Sequence, residues 1–168
     1  MSKAVLHMVC GKAAAGKSTL CGVLAGQAGT VVVSEDAWLS GLFGDQATLA
    51  DYVTYSERLR VVMGPHVVGL LRAGTSVVMG YPANTVAQRA WLLGLAQEAG
   101  VGHVLHYLDV SDEVCKARLR ARNAAGDHPF MLSEAQFDRL AEHFVPPTDA
   151  EGLSLRVHDA GYSVSRKT

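Results

Sequence analysis

The chain has 168 residues, of which 49% are hydrophobic and 18% charged, and its formal net charge is −1. This length suits one compact unit, so we expect residues 1–168 to form a single domain with a buried sheet. The near-neutral charge argues against the broad basic surface of non-specific nucleic-acid binders, and no nucleic-acid partner is expected. No apolar run is long enough to span a bilayer. Three cysteines without CxxC spacing indicate free thiols, and we expect a cytoplasmic protein.

Short apolar runs alternate with longer helical stretches along the whole chain. This alternation is typical of parallel strands joined by helices, so we predict an α/β fold with helices on both faces of the sheet. The inner runs are almost wholly apolar, as expected for strands that are covered on both sides. The predicted strands are Ala4–Cys10, Thr30–Ser34, Thr75–Gly80, Gly102–Asp109 and Ser154–His158.

A phosphate-binding loop follows the first predicted strand. Residues 11–18 read Gly-Lys-Ala-Ala-Ala-Gly-Lys-Ser and match G-x-x-x-x-G-K-[ST] in full, with a helix predicted over Lys17–Ala28. The glycines let backbone amides turn towards phosphate, and the helix N-terminus adds its positive dipole. We expect Lys17 to reach the β- and γ-phosphates of ATP and the Ser18 hydroxyl to bind Mg²⁺. The predicted nucleotide-binding residues are Gly11, Lys12, Ala13, Ala14, Ala15, Gly16, Lys17, Ser18 and Thr19.

Two carboxylates, Glu35 and Asp36, follow the second predicted strand. In an open parallel sheet the ligand crevice lies at this edge, beside the phosphate loop. Phosphoryl transfer needs a group that orients or deprotonates the attacking hydroxyl, and Asp36 is the candidate base. Glu35 is expected to help it or to bind Mg²⁺ indirectly, although the two roles could be exchanged. The alternative is that Asp36 merely caps a helix beginning at Ala37.

The next segment is harder to assign. Residues 41–54 predict a loop with short helical pieces, and a helix over 56–72 is interrupted by Gly64 and Pro65. Because proline lacks an amide hydrogen, we expect a kink or a fresh helix start there.

The third predicted strand ends at Gly80, where many enzymes with this loop carry a magnesium-binding acid (the Walker B acid). No shift of the alignment by one residue recovers an acid. The metal site would then depend on Ser18, the phosphates, water and Glu35 or Asp36. This absence favours the alternative of a nucleotide-binding switch with weak hydrolysis.

Two capping boxes, Thr85–Gln88 and Ser133–Gln136, predict the starts of later helices, and Ser111 predicts another.

Between the last two helices, residues 123–132 contain Gly and Pro and predict a mobile lid. Arg118 and Arg122 are four residues apart on the helix that enters it, so they share a face and could neutralise charge on the transferring phosphoryl group. The alternative is a solvated charged face.

The small-molecule substrate is expected between the segment after the second strand and the following helices. The predicted substrate residues are Trp38, Arg58, Tyr81 and Asn84. Aromatic side chains with polar tips suit sugars, nucleosides and antibiotics. Arg89, by contrast, is predicted to be an ordinary residue of a helix surface.

Taken together, these segments resemble the small P-loop kinase-like AAA-type ATPases of the zeta-toxin and chloramphenicol-phosphotransferase kind. The resemblance rests on GKAAAGKS, VSEDAW, VVMGYPANTVAQRAW, HYLDVSDEVCKARLRARN and FVPPTDAEG. It implies a five-stranded parallel sheet in the order 2-3-1-4-5, ATP with Mg²⁺, and phosphorylation of a hydroxyl, with Asp36 as base and Arg118 and Arg122 as lid arginines. The sequence therefore predicts a small-molecule kinase, with antibiotics among the acceptors. The other possibilities are a toxin-like nucleotide-sugar kinase and the nucleotide-binding switch.

Overall fold

The computed structural model describes residues 3–44, 48–126 and 131–160. Each predicted strand is present, with ends that differ by at most one residue from the prediction. In chain order the elements are β1 Val5–Cys10, α1 Lys17–Ala25, β2 Thr30–Ser34, α2 Glu35–Phe43, α3 Leu49–Arg72, β3 Ser76–Gly80, α4 Val86–Ala99, β4 Gly102–Leu108, α5 Asp112–Ala125, α6 Glu134–Glu142, a short 3₁₀ turn at Asp149–Glu151, and β5 Leu155–His158.

The five strands form one parallel sheet in the order β2-β3-β1-β4-β5, which confirms the predicted fold. β1 lies in the middle, where Met8 pairs in register with Met79 of β3 and Leu105 of β4. The chain leaves β1 at the centre of the carboxyl edge of the sheet. To one side of β1 the sheet continues with β3 and β2, and to the other side with β4 and β5. Such a switch point forms a crevice for ligands, and residues 11–18 lie there.

Apolar residues fill both faces of the sheet. On one face, Leu6 and Met8 pack with the buried sides of α3 and α4, including Val67 and Leu92. On the other, Val9 packs with residues of α1, α5 and α6: Leu20, Leu119 and Phe137. This double covering explains why the inner strands read as continuous apolar runs.

Side-chain caps begin three of the helices at the residues that the sequence predicts. Thr85 and Ser133 form capping boxes with Gln88 and Gln136, and Ser111 accepts a hydrogen bond from Val114 N. A further capping box, between Thr48 and Asp51, begins α3.

The predicted loop over residues 41–54 is wrong, and of the two outcomes predicted at Pro65 (a kink or a fresh helix start) the fresh start does not occur. Helix α2 continues to Phe43 and α3 begins at Leu49, so most of the predicted loop is helical. Helix α3 also runs through Pro65 without a fresh start. Pro65 removes the amide that would bond to the carbonyl of Val61, but Val61 is 75% exposed, so water can replace that donor.

Three histidines from β1, β4 and β5 form a hydrogen-bonded row across the sheet. His7 Nδ1 lies 3.1 Å from His106 Nε2, and His106 Nδ1 lies 3.0 Å from His158 Nε2. His106 is almost fully buried. Burial, followed by the positive potential of the neighbouring histidines and Arg156, lowers the pKa of His106 to about 4. We refer to these three residues as the histidine row.

Across the three described stretches of chain, no helix has the length and apolar character needed to cross a membrane.

Candidate functional site

The loop between β1 and α1 adopts a backbone that only small residues accommodate. A Cβ atom on Gly11 would lie 3.2 Å from both Cβ and the carbonyl oxygen of Leu108. Ala14 and Gly16 have left-handed φ angles of 58° and 107°. Gly16 precedes α1 and offers no side-chain cap, so side chains leave the first-turn amides of α1 available to an anion.

Lys17 folds back over this loop. Its Nζ donates hydrogen bonds to the carbonyl oxygens of Gly11 at 2.7 Å and Lys12 at 2.8 Å. Burial lowers the pKa of Lys17 from its ordinary value. The ammonium group is thus held at the mouth of the loop. An anionic phosphate bound there would offset the free-energy cost of burying this positive charge.

A cavity of about 810 Å³ opens above the loop, and we call it the large cavity. It gathers residues from five helices or their flanking segments. Its lining consists of residues 13–20, Asp36, Tyr52, Leu108, Arg118, Arg122, Leu132, Leu140 and Asp159. Predicted residues that lie far apart in sequence (Lys17, Ser18, Asp36, Arg118 and Arg122) therefore face one space.

The two arginines of α5 reach this cavity as predicted. Arg118 donates from one terminal nitrogen to the Ala15 carbonyl at 3.1 Å and from the other to the Ala160 carbonyl at 3.3 Å. Arg122 lines the same cavity, and its buried Nε has no hydrogen-bond partner among the described residues. Arg120 points away and pairs with Glu134. Of the predicted lid, residues 127–130 lie outside the described residues, and α5 extends to Ala125.

A second cavity of about 440 Å³, which we call the small cavity, adjoins the phosphate loop on the side of β2 and β3. Its lining consists of Val9, Lys17, Ser18, Cys21, Gly22, Val32, Ser34, Asp36, Met79, Gly80, Tyr81, Pro82 and Asn84. Among the residues that the structure describes, Lys17, Ser18 and Asp36 alone line both cavities. A nucleotide phosphate bound at the loop would therefore meet the contents of the small cavity at these three residues.

Asp36 lies in the first turn of α2, but it is not the N-cap. That role belongs to Ser34, whose hydroxyl accepts a hydrogen bond from Ala37 N at 3.3 Å. The helix begins at Glu35, two residues before the start assumed in the capping alternative. The capping explanation for Asp36 is therefore wrong.

Glu35 is placed differently from its neighbour. It is 1% exposed and lines neither cavity. Ser56 donates a hydrogen bond to its Oε1, and Arg60 Nε lies 3.5 Å from the same oxygen. Burial raises the pKa of Glu35. Because the side chain faces α3 and not the phosphate loop, the geometry does not favour Glu35 as a magnesium-binding residue.

The four predicted substrate residues divide into two pairs. Trp38 and Arg58 are exposed on α2 and α3 and line neither cavity. Tyr81 and Asn84 line the small cavity. Asn84 also supports the phosphate loop, since its Oδ1 accepts a hydrogen bond from Gly11 N at 3.0 Å.

The glycine at position 80 has a steric cause. Gly80 pairs in register with Ser34 of β2, and a Cβ atom at position 80 would lie 3.1 Å from Ser34 Cα. A side chain there would require Ser34 to shift by a few tenths of an ångström, so this backbone disfavours a Walker B acid.

Arg89 corrects a further prediction, since it is fully buried and not on a helix surface. Its Nε and one terminal nitrogen donate to the two carboxylate oxygens of Glu151 at 2.6 and 2.9 Å. Its other terminal nitrogen donates to the carbonyls of Ala83 and Val145 at 3.1 and 2.8 Å. Arg89 thereby joins the start of α4 to residues 145–151, beside the Asn84 that supports the phosphate loop.

Two residues of the large cavity, Leu140 and Asp159, match no motif in the sequence. Leu132, which also lines this cavity, is the last residue of the predicted lid. Leu140 lies on α6 and is 54% exposed at the wall of the large cavity. This exposure of an apolar side chain is a feature of the structure that suggests a site.

Residues 6–147 match the AAA_33 family, which is described as an AAA domain. The chain belongs to this family. The AAA_33 match spans the phosphate loop, Asp36 and both cavity-lining arginines of α5. None of the curated proteins matches the sequence significantly.

Solved structures share the fold of this AAA_33 chain. A protein from Chloroflexus aurantiacus described as a proposed kinase is 23% identical, with a TM-score of 0.69, and the match covers 96% of this chain and 88% of that one. The APS kinase of Mycobacterium tuberculosis is 18% identical, with a TM-score of 0.63 and coverages of 97% and 92%. A gluconokinase from Sinorhizobium meliloti is 16% identical, with a TM-score of 0.58 and coverages of 95% and 83%. At these identities the similarity establishes the fold alone.

Proposed function

We propose that this protein is an ATP-dependent phosphotransferase that moves the γ-phosphate of ATP to a hydroxyl of a small molecule. The observation that carries the proposal is the position of Asp36, which lines both cavities together with Lys17 and Ser18. A carboxylate between a phosphate-binding loop and a second cavity is the arrangement that hydroxyl phosphorylation needs. The similar fold of an APS kinase and a gluconokinase supports the same conclusion.

The chemistry follows from these positions. The first-turn amides of α1 and Lys17 hold the phosphates of ATP at the loop, and Arg118 and Arg122 line the same cavity. The acceptor oxygen attacks the γ-phosphorus while the bond from that phosphorus to the β,γ-bridging oxygen breaks, and ADP leaves with those electrons. The proton of the acceptor hydroxyl passes to the Asp36 carboxylate.

The residues at the loop fit a magnesium ion bound mainly through phosphate. Ser18 offers a hydroxyl at the N-terminus of α1, and Asp36 offers carboxylate oxygens in the same space. Among the residues that the structure describes, no group of three His, Cys, Asp or Glu side chains could hold a metal by itself. Bound Mg²⁺ would supply charge neutralisation between the β- and γ-phosphates.

A nucleotide-binding switch remains the second candidate because Gly80 removes the usual Walker B acid. The antibiotic acceptor and the finer resemblance to zeta toxins and chloramphenicol phosphotransferases receive no support from the comparisons. The nucleotide-sugar kinase stays a prediction.

The test is phosphate transfer from ATP with Mg²⁺ to a panel of hydroxyl compounds, with products identified by mass spectrometry. Asp36→Asn should lower the transfer rate by about 10²-fold or more, while calorimetry should give an ATP affinity close to that of the wild type. Asp138→Asn, which alters an exposed ion pair with Lys116, is the matched control and should transfer phosphate normally. ATP binding by a wild-type protein that transfers phosphate to no acceptor would favour the switch, and undiminished transfer by Asp36→Asn would exclude that residue as the base.

A further inference from the structure

Asn84 connects the segment after β3 to the start of the phosphate loop. Its Oδ1 accepts a hydrogen bond from Gly11 N at 3.0 Å. The carbonyl oxygen of the same glycine accepts a hydrogen bond from Lys17 Nζ at 2.7 Å. Gly11 therefore lies between Asn84 and the ammonium group of Lys17. Because this carbonyl is one of the two that hold the ammonium group, a shift of Gly11 would also displace Lys17.

Hydrogen bonds at both backbone polar groups keep Asn84 in place. Its amide donates to Gln88 Oε1 at 3.0 Å, and its carbonyl accepts a hydrogen bond from Val145 N at 2.9 Å. Because the backbone is held on two sides, the Asn84 side chain is presented to Gly11 in a fixed position. Asn84 is thus a preformed acceptor for the first amide of the phosphate loop.

The buried Arg89 joins the two segments that hold Asn84. One of its terminal nitrogens donates to the carbonyls of both Ala83 and Val145, and Glu151 accepts from the other two guanidinium nitrogens. A buried ion pair often adds no more stability than apolar residues of similar volume would. Apolar residues could not, however, bond to these two carbonyls. The bonds keep Ala83 and Val145, both direct neighbours of Asn84, at a fixed separation.

A comparable hydrogen bond at the opposite end of β1 and β3 provides a reference. Ser76 Oγ, at the start of β3, accepts a hydrogen bond from Val5 N, at the start of β1, at 3.1 Å. Like Asn84, Ser76 is half-buried and bonds to an amide at one end of β1. Ser76 lines neither cavity. Loss of its hydrogen bond should therefore lower stability without changing nucleotide affinity.

We propose that Asn84 is a positioning residue for nucleotide phosphate: it fixes Gly11, and through Gly11 the Lys17 ammonium group, while Arg89 keeps Asn84 in place. This inference rests on the nucleotide-binding part of the proposed function and does not depend on phosphate transfer. It gives Asn84 a role other than the contact with the acceptor that the sequence predicts.

The first experiment measures binding to the full chain. Asn84→Ala should lower the affinity for a non-hydrolysable ATP analogue with Mg²⁺, and for inorganic tripolyphosphate, by about fivefold or more, the value of one lost hydrogen bond. Calorimetry measures both affinities. The affinity for radiolabelled adenosine, measured by equilibrium dialysis, should stay the same, because adenosine carries no phosphate. An unchanged affinity for the ATP analogue, or an equal fall for adenosine, would overturn the proposal.

Ser76→Ala is the matched control, since it also removes one side-chain acceptor from a β1 amide. It should lower the melting temperature about as much as Asn84→Ala does and leave the affinity for the ATP analogue unchanged. If Ser76→Ala weakens ATP binding as much as Asn84→Ala does, the effect belongs to general loosening of the sheet and the proposal is wrong.

Amide hydrogen exchange in the nucleotide-free protein tests the bond itself. The Gly11 amide should exchange about fivefold faster or more in Asn84→Ala than in the wild type, and at the wild-type rate in Ser76→Ala. An unchanged Gly11 rate in Asn84→Ala would show that Asn84 does not hold the loop.

A double-variant comparison tests the part played by Arg89. In the background Arg89→Met with Glu151→Leu, Asn84 has already lost its support, so adding Asn84→Ala should lower the affinity for the ATP analogue less than about twofold. A full fivefold loss in that background would show that Arg89 does not act through Asn84. If this background does not fold, Glu151→Gln, which weakens the same pair and keeps Arg89, takes its place with the same expectation.

This inference and the phosphotransferase fail in different ways. ATP binding that depends on Asn84, without transfer to any acceptor, would leave the inference standing and overturn the phosphotransferase. Transfer by Asn84→Ala with a raised KM for the acceptor and an unchanged affinity for the ATP analogue would do the reverse, because it would assign Asn84 to the acceptor. A wild-type protein that binds neither the ATP analogue nor tripolyphosphate would overturn both.

Discussion

At position 80, the space between two paired strands determines which residue can be present. Gly80 lies against Ser34 so closely that an added Cβ would be 3.1 Å from the Ser34 Cα. The close packing of β2 against β3 is consistent with the missing acid, which says little about whether the loop binds a nucleotide.

Gly80→Asp should lower the free energy of unfolding by about 1–3 kcal/mol, because β2 must move to admit the side chain. Urea denaturation measures this change. Gly22→Ala is the control, since a Cβ there meets no atom within 4 Å, and it should stabilise α1 by about 0.5–1 kcal/mol. An unchanged denaturation midpoint in Gly80→Asp would show that the strands accommodate an acid after all.

Arg89 is the second position where one side chain determines much of the local structure. Arg89→Met would leave the Glu151 carboxylate, whose side chain is 10% exposed, without its bidentate partner. We expect a loss of about 3–5 kcal/mol in unfolding free energy, as is found when one member of a buried pair is removed.

The double variant Arg89→Met with Glu151→Leu should recover part of that loss, because it removes the isolated charge. Arg120→Met, which breaks an exposed pair with Glu134, provides the matched comparison and should have little effect. If Arg89→Met costs no more than Arg120→Met, the buried pair is not important for stability.

At the scale of the secondary-structure elements, α5 separates three arginines by face. Arg118 and Arg122 line the large cavity, while Arg120, halfway between them in sequence, pairs with Glu134 on the outer side. The helical period alone produces this division.

If the phosphotransferase proposal is right, Arg122→Gln should lower kcat by about 10²-fold, because the half-buried Arg122 faces the cavity where phosphate charge develops. Arg120→Gln on the same helix should leave kcat unchanged. Steady-state kinetics with ATP and the best acceptor distinguishes the two. A similar kcat in both variants would remove Arg122 from the catalytic group.

The strands, the phosphate loop and the capped helix starts were predictable because each depends on local signals: apolar runs, glycine spacing and side-chain caps. The α2–α3 segment was missed although Thr48 and Asp51 form a capping box at the start of α3, and the stacking of Phe43 on Tyr55 is a tertiary contact that no local signal shows. The burial of Arg89 was missed because its partner lies 62 residues away. The direction of the Glu35 side chain could not be predicted for a similar reason, because sequence proximity to Asp36 does not tell which way each carboxylate faces.

At the scale of the whole molecule, the strand order places the phosphate loop at the centre of one sheet edge and the histidine row across β1, β4 and β5. The row ties the N-terminal strand to the last strand through side chains on one face of the sheet. Stability should therefore depend on the protonation of these rings.

The pKa of His106 is about 4 in the folded chain, below its ordinary value of 6.5, so the unfolded chain binds the proton more readily between these two values. The folded chain keeps its full free energy of unfolding above pH 6.5, and the share that comes from neutral His106 is lost as the pH falls towards 4. From His106 alone the loss should be about 3 kcal/mol, since one pKa unit corresponds to about 1.4 kcal/mol. Urea denaturation at a series of pH values measures it.

His106→Gln keeps one donor and one acceptor in the row and should make the free energy of unfolding less dependent on pH over this range. His103→Gln, on the same strand, should keep the full dependence. A pH dependence that survives unchanged in His106→Gln would assign it to other groups.

The histidine row also couples the three rings to one another. A neutral imidazole has one protonated and one bare nitrogen, so if His106 donates to His7 it must accept from His158, and the reverse holds as well. Choosing the tautomer of the middle ring therefore fixes the tautomer of both outer rings, and the bonded protons can reverse direction only in concert. The row has two such collective states, and nitrogen chemical shifts of the three imidazoles should change together and never singly.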